Sequence, residues 1–213
     1  MNIHDFFDPY EDLLAAADTA FEEMSKAHPG RVLCRRGCDD CCHAVFGLFL
    51  VEAAYLQEAF ATLDDSVRSG ILARCDTADE DARRLEEKLR VYRHDPAEAA
   101  RVMTTERIRC PLLTEEKDCV LYHARPLTCR VYGIPTHIQG ALRVCGKSGF
   151  SADGRFGAFN LDLAQRRLLE ISTGMLEDIE EADAGKASLL FSVSKSLKSP
   201  VYDIIEENCL KDD

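Results

Sequence analysis

The stretch CRRGCDDCCH occupies residues 34–43. It places Cys34, Cys38, Cys41 and Cys42 within nine positions, in a chain with only ten cysteines. It is too rich in Gly, Asp and Cys for a regular element, so it separates two tracts of helical sequence. A second irregular stretch, 107–159, carries Cys110, Cys119, Cys129 and Cys145 among Pro, Gly and aromatic residues with no sustained helical period. The remaining two cysteines behave differently. Cys75 falls on the apolar stripe of a predicted helix over 65–94, and Cys209 lies four residues after Ile205 in a short helix over 201–210. Both read as small buried packing residues.

Around these stretches the periodicity is helical. Residues 8–28 carry Leu13, Leu14, Ala17, Phe21 and Met24 on one face, with Asp8 as cap, Pro9 in the first turn and a stop at His28-Pro29-Gly30. After a short extended piece near 44–50, VEAAYLQEAFATL continues as helix. Asp95-Pro96 caps a short helix through Met103, and another follows Arg125-Pro126. Asn160 caps a helix with Leu161, Ala164, Leu168, Ile171, Met175 and Ile179 on one face. A further helix is expected over 186–198, broken by Pro200. A ribbon over 134–145, turning at Gln139-Gly140, is the one β feature. The expectation is a mainly α fold: a single helical domain, 1–213, with an irregular cysteine-rich metal-binding layer and one short β-ribbon. Its cysteine-cluster core is 31–147, with the N-terminal segment 8–28 and the helices of 160–210 packed on it.

The net charge of −12 argues against nucleic acid and anionic membrane surfaces as partners. The eight-residue run AVFGLFLV, 44–51, is far below the ~20 apolar residues a membrane span needs. The N-terminus lacks a basic region followed by an apolar run, so a cytoplasmic location is expected, where thiols stay reduced and a cysteine cluster points to metal or catalysis. The charge is uneven. Residues 101–147 hold eight Lys/Arg against four Asp/Glu, and 31–45 hold three against two. The cysteine-bearing stretches are thus the basic parts of an acidic chain, where nearby arginines would offset the negative charge of metal-bound thiolates.

Eight cysteines therefore form the candidate metal ligands: Cys34, Cys38, Cys41, Cys42, Cys110, Cys119, Cys129 and Cys145. Close ligands need sharply turning backbone, which Gly37, Pro111 and Gly146 supply. Eight thiolates suffice for two tetrahedral sites, for an iron–sulfur cluster with a second metal, or for a polynuclear site. Adjacent Cys41 and Cys42 diverge in most backbone conformations and fit two centres, or two edges of one cluster, better than one zinc. His43, His123 and His137 are candidate replacements for a thiolate, although the cysteines alone fill two sites. Three other readings fit less well. Cys34-x₃-Cys38-x₂-Cys41 has the spacing of a radical S-adenosylmethionine loop, but Asp40 stands where an aromatic is usual and the strand–helix repeat is missing. Cys38-x₂-Cys41 has dithiol redox spacing without the βαβ context. A disulfide framework conflicts with a reducing compartment.

The second stretch, CPLLTEEKDCVLYHARPLTCRVYGIP at 110–135, together with CRRGCDDCC resembles the YkgJ-like cysteine-cluster family, the CxxCxxCC zinc- or iron-chelating domain. The match rests on paired cysteines, then Cys-Pro, then Cys119-x₂-Tyr122-x₂-Arg125-Pro126-x₂-Cys129-Arg130-x-Tyr132 and a late Cys145. Cys34 and Cys38 are separated by three residues where the family name has two. The resemblance implies a metal-chelating protein whose cofactor is zinc or an iron–sulfur cluster. The flagellin lysine N-methylases carry a similar cysteine domain, which adds an iron–sulfur enzyme of redox or S-adenosylmethionine-dependent protein methylation chemistry as the alternative. Arg125 and Arg130 are expected to donate to cysteine sulfurs or balance cluster charge. Tyr122 and Tyr132 are expected to pack with a hydrogen-bonded hydroxyl. The partner implied is a metal ion; a protein partner stays open.

Overall fold

A computed structural model describes residues 2–211. A 3₁₀ turn, Ile3–Phe6, leads into α1, Phe7–Ala27. The cysteine loop follows, then α2 Leu50–Ala61, α3 Asp65–Val91, α4 Pro96–Thr105 and the short α5 Leu127–Val131. Strands β1 Thr136–Ile138 and β2 Ala141–Arg143 precede β3 Phe159–Asn160, and the chain closes with α6 Leu161–Glu177, α7 Val193–Lys198 and α8 Val201–Asn208. The fold is mainly α with one small sheet, as the periodicity predicts. No helix among the described residues is long and apolar enough to cross a membrane.

Local chemistry explains most boundaries. Asp95 accepts from the Glu98 N–H at 3.1 Å and Pro96 opens α4. Asn160 accepts from the Leu163 N–H at 2.9 Å and opens α6. The β1–β2 ribbon turns at Gln139 and Gly140, with φ +51° and +72°, the paired left-handed conformation of a two-residue hairpin turn.

Four expectations need correction. The N-cap of α1 is Phe6 without a side-chain bond, since the preceding 3₁₀ turn takes the place assigned to Asp8. The helix expected over 186–198 is split into a 3₁₀ turn, Ala184–Ser188, and α7. Between them Phe191 forms an isolated antiparallel bridge with Leu48, with backbone bonds of 2.8 and 2.9 Å. Strand β3 pairs in parallel with β1, which a local reading does not reveal. Tyr122 is about half exposed rather than packed.

Two apolar clusters share α2. One joins Tyr10, Leu14 and Ala17 of α1 to Leu50, Val51 and Ala54, to Leu127 and Val131, and to the inner faces of α6 and α8. The other joins Leu56 and Phe60 to Ile71 and Cys75 of α3, Leu112, Leu121 and Leu197. A helix apolar on nearly all sides belongs in the interior, and α2 is the rod about which both clusters form. Cys75 and Cys209 are buried, at 0% and 1% exposure, as packing residues.

Candidate metal centre

The first cysteine loop is a chain of tight turns. The Cys38 N–H donates to the Arg35 carbonyl at 2.9 Å, made possible by Gly37 at φ +83°. Cys41–His43 then form one 3₁₀ turn. The second stretch docks on the first through its backbone. The Cys110 N–H donates to the Cys42 carbonyl at 2.7 Å, and the Ile108 N–H to the His43 carbonyl at 3.1 Å. A turn through Lys117 (φ +64°) folds 112–120 back on itself, bridging Leu113 to Cys119. Cys129 sits inside α5, and Cys145 follows the ribbon.

These elements bring all eight cysteines around two adjoining cavities. Seven of them, Cys34, Cys38, Cys41, Cys42, Cys110, Cys119 and Cys129, line a cavity of about 820 Å³. Cys34, Cys38, Cys41 and Cys145 surround a second of about 10 Å³, room for roughly one water or small ion. All ten cysteines are free thiols. Among the described residues, no three Cys, His, Asp or Glu donors stand close enough to hold a metal ion as they are. The thiols are gathered but not drawn into a closed shell.

Their electrostatics follow from burial and mutual contact. Burial pushes the Cys34 thiol up to about 11 and Cys110 to about 12, and raises Cys119 and Cys145. Cys129 and Cys42 donate to the Cys41 sulfur. Those contacts lower Cys41 and raise both donors, and Cys41 lines both cavities. A metal bound by such thiols would have to displace their protons, so its binding would be proton-coupled. The donor chemistry fits zinc and iron–sulfur centres alike.

The wall around Cys145 is an ionic latch. Cys145 Sγ donates to Asp40 Oδ2 at 3.4 Å, and Arg107 binds the other Asp40 oxygen. Lys147 reaches Asp39 at 3.1 Å and Asp40 at 3.6 Å, while Lys117 reaches Asp39 at 3.5 Å. Burial works to raise the Asp40 carboxyl, but the Cys145, Arg107 and Lys147 contacts hold it below the ordinary range. The Lys147 hydrogen bond chiefly brings Asp39 to about 2. Arg107 also donates to the half-buried Tyr132 hydroxyl, as expected for that ring.

The two arginines of the second stretch differ. Arg130, its side chain 9% exposed, directs Nη1 to Asp18 at 2.5 Å, Nη2 to the His123 carbonyl at 2.5 Å and Nε to the Arg125 carbonyl at 3.0 Å. It therefore clamps the loop before Cys129 onto α1. Arg125 donates Nε to the Tyr122 carbonyl at 2.9 Å and lies over the Tyr122 ring at 3.6 Å. Its charge lowers Cys34, Cys41 and Cys119, each against a larger opposing burial or hydrogen-bond effect or alongside one. His123 lines the large cavity; His43, whose Nδ1 donates to the Asp39 carbonyl at 3.0 Å, and the exposed His137 line neither cavity.

Several supporting residues escape a sequence reading. A Cβ at Gly133 would lie 2.6 Å from Cys34 Cβ, so glycine is what lets the two strands of chain meet. Glu52 is wholly buried. One of its oxygens accepts from the Phe49 N–H at 3.1 Å and the other from the Leu127 N–H at 3.0 Å, tying the starts of α2 and α5 together. Burial lifts its carboxyl to about 7, against those two bonds. A glutamate amid VEAAYLQ gives no signal of this; the Arg-Pro before α5 marks only that a helix start is near.

Residues 33–146, more than half of the chain, match the family model described as "CxxCxxCC: Putative zinc- or iron-chelating domain". The match opens one residue before Cys34 and closes one after Cys145, and the chain belongs to this family. No curated protein and no solved structure gives a significant match.

Proposed function

We propose that the chain is a metal-thiolate protein in which the eight cysteines hold two centres of zinc or iron–sulfur type. Cys34, Cys38, Cys41 and Cys145, the thiols around the small cavity, make one set. Cys42, Cys110, Cys119 and Cys129, which line the large cavity alone, make the other. The observation that carries the reading is that the eight thiols gather around two adjoining cavities, Cys145 on the small one alone and Cys42, Cys110, Cys119 and Cys129 on the large one alone, while Cys34, Cys38 and Cys41 line both. A bound metal would supply a rigid cross-link between stretches nearly seventy positions apart, or an electron store if it is iron–sulfur. Arg125 would balance thiolate charge, and Arg130 would hold the α5 approach in place. A cytoplasmic setting, in which thiols stay reduced, suits such a site.

Anaerobic purification with metal analysis and an optical spectrum tests the proposal. The expected result is two centres per chain, with an absorption band near ~400 nm for iron–sulfur and none for d¹⁰ zinc. Less than one bound metal per chain, with all eight thiols freely alkylated, would overturn it. One observation favours the second reading, an enzyme in redox or methyl-transfer chemistry: the large cavity leaves open space beside the thiols, as a purely structural site would not.

A further inference from the structure

The large cavity is bigger than its thiols need. At about 820 Å³ it falls in the roughly 300–1,000 Å³ range of small-molecule sites. A metal centre drawn together at its cysteine wall would fill only part of it. Apolar lining comes from Ala78 and Ala82 of α3, Val193 at the start of α7 and Phe46 in the segment before α2.

The charges on the wall are not balanced. Four carboxylates line the cavity, and each already has a cation: Asp18 with Arg130, Glu22 with Lys26, Asp79 with Lys198 and Asp118 with Arg36. Two further lining cations are also committed, Arg109 to Glu115 and Lys117 to Asp39. That leaves Arg35 at the exposed rim and Arg125 half-buried, neither with a carboxylate partner among the described residues. Arg125 is the better placed. Its Nε bond and its stacking on Tyr122 hold the guanidinium still, while its two terminal nitrogens bond to no described oxygen or sulfur. Charge balance with thiolates does not require those donors to be pointed at a partner. A fixed guanidinium with a free pair of N–H groups suits a planar carboxylate.

We infer that this cavity binds a small organic acid, its carboxylate on Arg125 with Arg35 assisting at the rim and its apolar body against the Ala78–Ala82 face. The inference rests on the metal-thiolate reading for the wall it shares, and it gives that site a ligand class. The ligand would be held beside the Cys42, Cys110, Cys119 and Cys129 set.

The test uses the full, metal-loaded chain and calorimetric titration with 4-phenylbutyrate and its neutral amide, 4-phenylbutanamide. Metal content and spectrum are recorded on every sample, so failure of the metal reading shows itself separately as an empty protein. The expected result is carboxylate binding at least tenfold tighter than the amide. Arg125→Gln should abolish that preference, and Arg125→Lys, which keeps the charge but not the fork, should restore only part of it. Ala82→Phe, which adds bulk to the apolar lining at a residue that is no candidate ligand, should remove binding of both probes while metal content stays unchanged. Three results would each overturn the inference: no binding of either probe to loaded protein, equal binding of the two, or a preference that survives Arg125→Gln. If Arg125→Gln loses metal and binding together while Ala82→Phe keeps both, Arg125 serves the metal site alone and the inference also fails.

Discussion

The Glu52 carboxyl makes the fold dependent on pH in a direction opposite to an ordinary surface glutamate. In the folded protein burial lifts it from its ordinary 4.5 to about 7, and the group is fully enclosed. At low pH it is protonated in both folded and unfolded chains and contributes no difference. As pH rises past 4.5 the unfolded chain ionises freely while the folded one resists. Stability is therefore lost between about 4.5 and 7, and the whole penalty is present above 7. An interval of about 2.5 pH units, at about 1.4 kcal/mol each, makes that penalty roughly 3 kcal/mol. Glu52→Gln cannot ionise, so it escapes the penalty, but it offers one acceptor where two backbone N–H groups need one each. That costs about 1–3 kcal/mol at all pH values. The difference in unfolding free energy between wild type and Glu52→Gln isolates the effect, because both carry the same cysteines and metal. In urea denaturation at pH 5, 6, 7 and 8, the variant should gain on wild type by roughly 2–3 kcal/mol in going from pH 5 to 8. A difference that stays flat over that range would refute the reasoning, since it would mean that Glu52 does not titrate there in the folded state.

Three further outcomes follow from the same geometry. Gly133→Ala puts a methyl 2.6 Å from Cys34 Cβ, so a denaturation midpoint should show a loss of about 1–3 kcal/mol from overpacking, with faster release of metal to a chelator; an unchanged midpoint would mean that the two strands part freely. Arg130→Ala leaves Asp18 and two carbonyls without their donor, and a loss of roughly 2–3 kcal/mol is expected, with Arg130→Lys in between because a compact ammonium lacks the planar fork that reaches three separated acceptors. Cys75→Ala and Cys209→Ala should each cost about 1 kcal/mol as small cavities while metal content per chain stays at the wild-type value, and any fall in metal content would contradict their role as packing residues.

The sequence revealed what depends on local chemistry. Helical stripes, the Asp95 and Asn160 caps and the Gln139-Gly140 turn each express a preference carried by neighbouring residues, and all reappear in the structure. The gathering of eight cysteines from two irregular stretches was legible for a related reason: only those stretches lacked a helical period, and Cys75 and Cys209 sat on apolar stripes. What remained hidden depends on partners far along the chain. Phe191 leaves the expected 186–198 helix to pair with Leu48, and β3 reaches β1 across some twenty residues. Glu52 looks like any helix-surface glutamate until α5 arrives on top of it. Tyr122 was expected in the interior because tyrosines usually pack, but Arg125 covers its ring at the surface instead. Arg125 and Arg130, alike in sequence, separate only when Asp18 of α1 proves to lie beside one of them.

The division of the thiols into two centres is tested most directly by native mass spectrometry of the loaded chain beside Cys145→Ser and Cys129→Ser. The account predicts two metal centres on the wild type and one on each variant, with the double variant empty. A single centre on the wild type, lost whole in either variant, would contradict it.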